Sequence, residues 1–431
     1  MNITLTIPYT LLRAIMSSLS TMPNHVAVGP AGLAVHTDFS HEFMAQSFYL
    51  LPEGDPNRYP TTHPFRFECR LAPYSVIQAD VWKTMEWAWR LEGDTPKVPT
   101  LFMIIGQGQH RGWVTGLYWD HDQIRPVQHI HMPGRGMHCL AVLDFQGGRA
   151  SPAHLKETLR WSRLIGAWGG RDPWLRFTAL RMVVVGTGRT GSLVATSLVK
   201  SGVQHLTLID PDRIELHNLD AMDSVEETNV GDLKVQAIAQ HLKNCPHLPT
   251  ITPIAERIEH PIARQAIKEA DMLICCVDDD VARLIVGTLA TRYLKPLLDI
   301  GTGIFHDNVH QPHSVPVRRL GADVRLIIPG DGCFWCWGGV ARPEEALRRL
   351  RGLHQPRPWS EERAGSLRSL NSIAAHMGLR MLEDLVAGHL ERSAWIRIDQ
   401  QEGSLPAWQT ITPHQPRTCR LCQRLGAGDP I

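Results

Sequence analysis

The chain has 431 residues, of which 43% are hydrophobic and 20% are charged. This composition predicts a globular protein with room for two or three domains of about 100–200 residues each, and it excludes disordered, collagen-like and small secreted classes. The net charge of +1 does not favour nucleic acid as a partner. No apolar run approaches the roughly 20 residues needed to cross a bilayer, so no membrane partner is expected.

The cysteine count and the amino terminus bear on the cellular compartment. Nine cysteines are an odd number in a long chain, which argues against a disulfide framework and for a reducing environment. The first 18 residues have no basic region ahead of their apolar residues, unlike a signal peptide. We therefore expect a soluble cytoplasmic protein.

Residues 1–150 have the composition of a strand-rich domain. Segments 100–105 and 113–119 are short and rich in β-branched and aromatic residues, which predicts strands. Apolar residues recur at helical spacing along 75–91, which predicts a helix packed on a sheet. We expect an N-terminal α+β domain here.

Strand and helix patterns alternate after about residue 150. The segments predicted as strands are 181–185, 206–209, 272–277 and 295–300. The segments predicted as helices are 152–168, 192–201, 234–243 and 283–292. Apolar strands alternating with helices predict an α/β fold, a doubly wound and mostly parallel sheet. We expect a second domain at 151–431, in which 341–362, rich in Arg, Pro and Glu, forms an exposed crossover or mobile loop.

A glycine-rich turn between a predicted strand and a predicted helix is the sharpest local motif. It contains Gly186, Gly188 and Gly191. In such a motif the first glycine permits a tight turn, the second lets a phosphate approach the backbone, and the third lets helix and strand pack closely. Asp210 ends the next predicted strand, where an acidic residue reads a ribose hydroxyl. The motif predicts a Rossmann-like nucleotide site; a turn that merely needs glycines is the alternative.

Carboxylates in two further places argue against the usual interpretation of such a motif, an NAD-dependent oxidoreductase. Asp210 is followed by an acidic and amide-rich stretch that includes Asp212 and Asn218, which a dinucleotide does not require. Three carboxylates, beginning with Asp278, follow the predicted strand 272–277 at the edge where open sheets bind ligands. Carboxylates beside phosphates favour Mg²⁺. The pattern indicates ATP chemistry rather than hydride transfer.

With these motifs in this order, residues 150–431 resemble the adenylating enzymes that activate ubiquitin-like proteins. That family includes the molybdopterin-synthase and thiamine-biosynthesis adenylyltransferases and the ubiquitin-activating enzymes. Residues 160–163 (Arg-Trp-Ser-Arg) are similar to the opening arginine motif of the family, and 231–235 (Gly-Asp-Leu-Lys-Val) to the segment whose lysine contacts the phosphates. The resemblance implies that ATP and the C-terminal glycine of a small β-grasp protein give an acyl-adenylate and pyrophosphate.

The resemblance also implies roles for particular residues. Arg163 would reach across the interface of a homodimer to the ATP phosphates of the neighbouring subunit, and Lys234 would contact the phosphates. The residues that it places at ribose, phosphate and Mg²⁺ are Asp210, Asp212, Asn218 and Asp278. Arg163, Lys234 and a cation at Asp278 would neutralise the leaving pyrophosphate, which is the main demand of the reaction.

Two positions depart from the family pattern. Arg189 stands where the family usually has a second glycine after Gly188, and Ala221 stands where it has an arginine three residues after Asn218. Either Arg189 supplies the missing positive charge from a new position, or the phosphate site is weakened.

Two CxxC pairs predict a structural metal site. Their cysteines are Cys333, Cys336, Cys419 and Cys422. Four thiolates match a closed tetrahedral Zn²⁺ site, and the resembled family has the same two knuckles. A redox CxxC is the alternative, but it would not explain the second pair.

The remaining cysteines do not follow the pattern of the thioester-forming ubiquitin-activating enzymes, which carry a catalytic cysteine in or beside the crossover segment. No cysteine lies between Cys336 and Cys419. Cys275 and Cys276 lie in an apolar predicted strand and are interpreted as inert core residues. The acyl-adenylate would pass to a partner's thiol or a sulfur donor, or to a cysteine elsewhere in this chain.

A His-Ile-His triplet raises the question of a metal in the N-terminal domain. A deubiquitinase-type metalloprotease would have Ser and Asp downstream of His129 and His131, but Cys139 and Val142 stand at those positions. A catalytic metal is therefore not expected. Residues 132–137 are similar to segments that join a degenerate domain of that fold to bacterial adenylation domains. We interpret the N-terminal domain as an inactive scaffold that recognises the ubiquitin-like protein or a partner.

Together these observations predict an enzyme that adenylates a ubiquitin-like protein for transfer to the cysteine of a conjugating enzyme. In organisation it resembles members encoded in bacterial conjugation operons, some of them antiviral. Two alternatives imply the same fold. One is adenylation for sulfur transfer or tRNA modification. The other is a nucleotide-sensing scaffold without turnover, which Arg189 and Ala221 would favour. An NAD-dependent oxidoreductase is a third alternative.

Overall fold

The structure is a computed structural model. In it the chain forms two compact units. The first contains 1–149 with 292–294 and 424–431, and the second contains 150–291 with 295–423. The described residues are 3–22, 25–38, 40–52, 66–73, 100–107, 114–120, 123–127, 129–141, 160–307, 317–340, 367–401, 403–413 and 419–429. Within these ranges no helix has the length and apolar character needed to cross a membrane.

The first unit is built on a ten-stranded mixed sheet and the helix α1 (Tyr9–Thr21). Its strands are β1 (Ile3–Thr6), β2 (His25–Val35), β3 (His41–Ala45), β4 (Tyr49–Pro52), β5 (Arg66–Pro73), β6 (Thr100–Gln107), β7 (Val114–Asp120), β8 (Gln123–Pro126), β9 (His129–Met132) and β10 (His138–Ala141). They lie in the order β10-β9-β1-β3-β2-β5-β6-β7-β8, and β4 also pairs with β2. The helix buries Leu12, Ile15 and Leu19, which share one face because they recur every three or four residues.

The core of this unit confirms an α+β fold for the N-terminal part of the chain. Side chains from β1, β3 and α1, among them Leu5, Phe43 and Ile15, form one buried cluster. The strands predicted at 100–105 and 113–119 are confirmed as β6 and β7. The helix predicted at 75–91 lies outside the described residues.

The second unit is an eight-stranded sheet with helices between its strands. Its strands are β11 (Arg181–Val185), β12 (His205–Ile209), β13 (Thr250–Ile254), β14 (Met272–Cys275), β15 (Leu297–Asp307), β16 (Val317–Ile327), β17 (Ala394–Gln401) and β18 (Ala407–Thr410). Its helices are α2 (Ser162–Ala167), α3 (Arg171–Ala179), α4 (Arg189–Lys200), α5 (Lys234–Lys243), α6 (Pro261–Glu269), α7 (Asp280–Arg292) and α8 (Arg368–Ala387). The order is β13-β12-β11-β14-β15-β16-β17-β18, parallel as far as β15 and antiparallel beyond it.

This sheet confirms the predicted doubly wound α/β fold. The strand at 181–185 and the helix at 234–243 have their predicted bounds, whereas α4 begins at Arg189 rather than at residue 192 because the glycine turn leads directly into it. Of the helix predicted at 152–168, the described part begins at residue 160 and contains α2. The predicted crossover segment 341–362 lies outside the described residues.

Several elements of the second unit were not predicted. They are α3, β13, α6, β16, α8, β17 and β18. The β13 sequence is short, contains a proline and is partly exposed. The β16 sequence is not an apolar run but mixes apolar and charged residues, among them the buried and ion-paired Arg325. Neither pattern satisfies the usual periodicity of a strand.

The strand order places a crevice beside β11. The chain runs from β11 outward through β12 and β13, then returns to β14 on the other side of β11. The order therefore reverses between β11 and β14, and ligands of open α/β sheets bind at the carboxyl ends of the strands at such a point.

Candidate functional site

The glycine turn packs tightly where β11 ends. Gly186 has a φ of +84°, in the left-handed region, and its N–H donates to the Ile209 carbonyl (2.9 Å). A Cβ at Gly186 would lie 2.9 Å from the carbonyl carbon of Cys276, and a Cβ at Gly191 would lie 1.9 Å from the Gly186 carbonyl oxygen. Both positions therefore require glycine.

The middle of the turn offers space next to the N–H groups of a helix terminus. A Cβ at Gly188 would meet no described atom within 4 Å, and Gly188 immediately precedes α4, whose first N–H groups have no helical acceptor. Thr187 is fully buried, and its hydroxyl forms no hydrogen bond with the described residues. Helix termini of this kind bind anions, and an orphaned buried hydroxyl is rare without a bound group. The turn therefore fits a phosphate-bearing ligand.

Asp210 holds the turn from the end of β12. Its Oδ2 accepts from the Thr187 N–H (2.7 Å), and its Oδ1 accepts from the Asp212 N–H (2.9 Å). Burial raises the pKa of the Asp210 carboxyl, and the nearby Lys234 ammonium opposes this shift. Each carboxylate oxygen keeps a second lone pair, so a hydroxyl donor can also bind there.

Lys234, the first residue of α5, faces the same strand end. Its Nζ lies 2.9 Å from Oδ2 of Asp212, and its N–H donates to the Asp212 carbonyl (3.0 Å). The Lys234 side chain is 12% exposed, whereas that of Asp212 is 63% exposed. Because exposed ion pairs are weak, Asp212 can leave the ammonium at little cost when a phosphate arrives.

Asn218 ends a single 3-10 turn, Leu216–Asn218, and its Oδ1 accepts from the Glu215 N–H (2.9 Å). Arg189 reaches this segment from the start of α4. Its Nη2 donates to the His217 carbonyl (2.7 Å) and lies 2.8 Å from Oδ1 of Asp220, and its Nη1 donates to Oδ2 of Asp220 (3.1 Å). Arg189 thus ties the glycine turn to the segment that carries Asn218.

Asp278 is exposed and follows β14, on the other side of β11 from Asp210. The backbone of Cys276, two residues earlier, packs against the glycine turn. The next residue, Asp279, accepts through Oδ2 from the Ala282 N–H (3.0 Å) in the first turn of α7. Carboxylates therefore stand at the ends of both strands that flank β11.

Arg283 joins the loop before α7 to the interior of the sheet. Its Nη2 donates to the Val277 carbonyl, and its Nη1 lies 3.0 Å from Oδ1 of Asp299 on β15. Arg325 on β16 pairs with Oδ2 of the same carboxylate (3.0 Å). Asp299 is fully buried, so two buried guanidinium groups share one buried carboxylate.

Sequence reasoning missed Asp299 and Arg325. These two residues oppose each other in the β15–β16 register, which a single sequence does not reveal. The available signal was the lone charged residue in the apolar run 297–300, because a buried charge requires a partner.

The four cysteines of the two CxxC pairs come together. The Sγ–Sγ distances are 3.7 Å for Cys333–Cys336, 3.6 Å for Cys333–Cys419 and 3.5 Å for Cys336–Cys422. Tetrahedral Zn²⁺ with Zn–S bonds of about 2.3 Å would hold its sulfurs about 3.8 Å apart, so the donor set fits zinc. Within the described part of the chain, these cysteines are the only cluster of three or more His, Cys, Asp or Glu side chains able to hold a metal.

The first knuckle packs against α7. Phe334, between the first two cysteines, is almost fully buried. A Cβ at Gly287 of α7 would lie 2.5 Å from Cγ of Phe334, so the ring sits directly on the helix backbone. The carbonyl of Trp337, one residue after the knuckle, accepts from Nε of Arg325 (3.0 Å).

Other candidate residues lie apart from these contacts. Arg163 is exposed on α2 and forms no hydrogen bond or ion pair within the described chain. Burial raises the pKa of Cys275 to about 12 and that of Cys276 well above its usual value, which agrees with inert core thiols. His129 and His131 lie on β9 and belong to no metal-binding cluster of described residues, and Val142 is outside those residues.

The family match lies within the second unit. The ThiF family model matches residues 162–382, which are 221 of the 431 residues. The adenylyltransferase and sulfurtransferase uba4 of Aspergillus fumigatus is 30% identical over 151 residues, 35% of this chain and 31% of that protein. The ubiquitin-like modifier-activating enzyme 5 of Gallus gallus is 27% identical over 215 residues, 44% of this chain and 50% of that protein.

The crystal structure of E. coli MccB with ATP matches 63% of this chain and 79% of that chain, with 19% identity and a TM-score of 0.46. The chain spans between about a quarter and a half of the length of the curated relatives that it matches. The family match confirms the resemblance to adenylating enzymes that the sequence motifs indicated. Because the family model covers more than half of its residues, this chain belongs to the ThiF family.

Proposed function

We propose that this protein uses Mg·ATP to adenylate the C-terminal glycine of a ubiquitin-like protein. The main support is the arrangement beside β11, where an open glycine turn, a largely buried ammonium and carboxylates on both sides occur in a chain of the ThiF family. The substrate class comes from the relatives, since one is named as an adenylyltransferase and another as an activating enzyme for a ubiquitin-like modifier.

The proposed reaction needs alignment and charge neutralisation more than covalent help from the protein. A carboxylate oxygen of the substrate attacks the α-phosphorus of ATP, the bond from that phosphorus to the oxygen bridging the β-phosphorus breaks, and pyrophosphate leaves with the electron pair. The turn at Gly188 and the first N–H groups of α4 would bind phosphate oxygens, and Asp210 would accept a ribose hydroxyl. Lys234 would neutralise phosphate charge, and Asn218 would be one of the polar side chains that surround the bound Mg·ATP.

Two ions belong to the proposal. Asp278, with Asp212, would hold Mg²⁺, which supplies positive charge to the phosphates when bound. Carboxylate oxygens are the ligands that Mg²⁺ prefers, and Asp278 is exposed at the strand edge. Zn²⁺ would be held by the four cysteines and would link the C-terminal segment to the rest of the second unit as part of folding.

Arg163 would act across a homodimer. Its exposed side chain on a short helix is available to a neighbouring subunit. Residues 1–149 would serve as a scaffold that recognises the ubiquitin-like protein or a partner. A place in a bacterial conjugation pathway, in some cases antiviral, is part of the same proposal.

The acceptor of the adenylate is proposed to be a cysteine of a conjugating enzyme. The cysteines outside the metal cluster whose side chains the structure describes are Cys69, Cys245, Cys275 and Cys276. The first is fully buried, and the last two have raised pKa values, so none of these three is a ready nucleophile at neutral pH. A second candidate function, adenylation for sulfur transfer, is favoured by the likeness to uba4, although that match spans only 31% of uba4.

ATP–pyrophosphate exchange tests the proposal. The assay would use purified full-length protein, Mg²⁺ and the ubiquitin-like protein encoded nearest to its gene, with and without its C-terminal glycine. Asp278→Ala should abolish exchange, whereas Asp384→Ala, a control carboxylate paired with Arg380 on α8, should retain it. ATP binding without exchange would overturn the enzyme and favour a nucleotide-sensing scaffold. Exchange that persists in Asp278→Ala would instead remove Asp278 from the proposed Mg²⁺ site.

The product separates the two enzymatic candidates. Transfer to a conjugating enzyme gives a thioester with a partner cysteine, which dithiothreitol cleaves. Sulfur transfer gives a thiocarboxylate on the ubiquitin-like protein, which mass spectrometry detects as the replacement of one oxygen by sulfur.

A further inference from the structure

Residues 214–222, a segment of the chain between β12 and α5 that carries Asn218, are buried at their two ends and at Asn218 itself. Ile214 at its start, and Ala221 and Met222 at its end, are buried. Between them Glu215, Leu216, His217 and Asp220 are exposed. The backbone N–H groups of residues 218, 219, 221 and 222 all donate to carbonyls within the segment itself. The exposed residues on either side of Asn218 are therefore the ones that contacts from other elements would position.

Arg189 provides such a contact. Its guanidinium donates to the His217 carbonyl and forms a two-pronged pair with Asp220, with distances between 2.7 and 3.1 Å. The Arg189 side chain is 22% exposed and that of Asp220 is 63% exposed, so the charge pair alone is weak and the bond to the His217 carbonyl adds to it. The fork of an arginine suits this double contact, which a lysine ammonium cannot reproduce.

We propose that Arg189 and Asp220 form a latch, a positioning pair that holds the segment carrying Asn218 against the glycine turn before ATP binds. The inference rests on the proposed function and deepens it, because it assigns Arg189 to the organisation of the ATP site rather than to the phosphates themselves. The guanidinium that touches His217 and Asp220 has its planar fork already engaged. Arg189 affects nucleotide binding indirectly, by positioning Asn218.

A latch of this kind contributes to affinity through preorganisation. Without it the segment has to become ordered as ATP binds, and that cost appears as weaker binding. We expect Arg189→Ala and Asp220→Ala each to weaken Mg·ATP binding by about three- to tenfold. The double variant should bind no more weakly than either single variant, because both changes open the same latch.

Isothermal titration of full-length protein with Mg·ATP tests this without the protein substrate. Arg380→Ala removes an exposed arginine that pairs with Asp384 within α8, and it should bind ATP like the wild type. Arg189→Lys keeps the charge but not the fork, so it should behave like Arg189→Ala. In pyrophosphate exchange the KM for ATP should rise in the latch variants while kcat stays within about twofold.

Each contrary result has a distinct meaning. Tighter ATP binding by Asp220→Ala would overturn the latch, since it would make Arg189 a phosphate ligand that Asp220 restrains. Full affinity in Arg189→Lys, or equal affinity in Arg189→Ala and the wild type, would also overturn it while leaving the proposed function intact. Wild-type protein that binds no ATP would overturn the proposed function and the latch together.

Discussion

Removal of the Asp299 carboxylate tests how the second unit holds the loop that carries Asp278. Asp299→Ala leaves Arg283 and Arg325 buried with like charges and without their shared partner. Arg325 keeps its pair with Asp323 (3.1 Å), so Arg283 is the guanidinium that loses its carboxylate partner. Breaking one buried ion pair costs about 3–5 kcal/mol, and we expect a loss in that range. For a unit of this size 1 kcal/mol shifts the thermal midpoint by about 2–4 °C, which predicts a fall of about 6–20 °C.

Urea and thermal unfolding, followed by tryptophan fluorescence, measure this loss. Asp384→Ala is the matched control, because its partner Arg380 is 53% exposed, and it should cost less than about 1 kcal/mol. Asp299→Asn keeps one carbonyl acceptor and should fall between the two. A loss below about 1 kcal/mol for Asp299→Ala would refute the reasoning, because it would mean that the two arginines do not depend on this carboxylate.

Four further changes test the site and the metal. Gly188→Ala places a methyl group in open space, so we expect a melting temperature within about 2 °C of the wild type but weaker Mg·ATP binding. Unchanged affinity by calorimetry would show that the phosphates do not bind at this turn. Gly191→Ala would push a Cβ to 1.9 Å from the Gly186 carbonyl oxygen, and native circular dichroism with an unchanged melting temperature would contradict that packing. Cys419→Ser should reduce the zinc content below one ion per chain and lower the melting temperature, whereas full zinc content by atomic absorption would argue against the cluster. Burial raises the pKa of Asp210, so the unfolding free energy of the wild type relative to Asp210→Asn should fall as pH rises from about 4 through the raised pKa. A difference in urea unfolding that does not change with pH would contradict this.

Local patterns in the sequence predicted the part of the site that is built from consecutive residues. The valines before Gly186 form β11, the glycine turn leads into α4, and Lys234 begins α5, because strand, turn and helix signals within a few residues determine each of these. The two CxxC pairs also predicted the metal cluster, since four thiols at that spacing have few other uses.

Contacts that depend on strand register could not be predicted from the sequence. Asp299 and Arg325 meet because β15 and β16 are aligned with these residues opposite each other, and a shift of one position would move each to the other face of the sheet. The same limit applied to Arg189. Its sequence position left open whether it binds phosphate or weakens the site, and only its contacts with His217 and Asp220 indicate a positioning role.

The cysteine cluster and the loop that carries Asp278 are joined by two separate routes. In the first, Phe334 of the knuckle packs on Gly287 of α7, the helix that begins two residues after Asp278. In the second, Arg325 contacts both the Trp337 carbonyl and Asp299. Asp299 also pairs with Arg283, which donates to the Val277 carbonyl in the loop that carries Asp278. Interiors this closely packed transmit small displacements rather than absorbing them.

The two sides of the site therefore differ in what supports them. Asp210 is held by N–H groups of Thr187 and Asp212, both close to it in the fold and independent of the cysteines. Asp278 stands on a loop whose conformation depends on α7 and on Asp299. Disruption of the cysteine cluster should therefore reach the proposed Mg²⁺ side before the ribose side. The Mg²⁺ side is joined to the cluster by the Phe334–Gly287 contact and by the ion pairs of Asp299, whereas the ribose side shares with it the apolar core around Ile209.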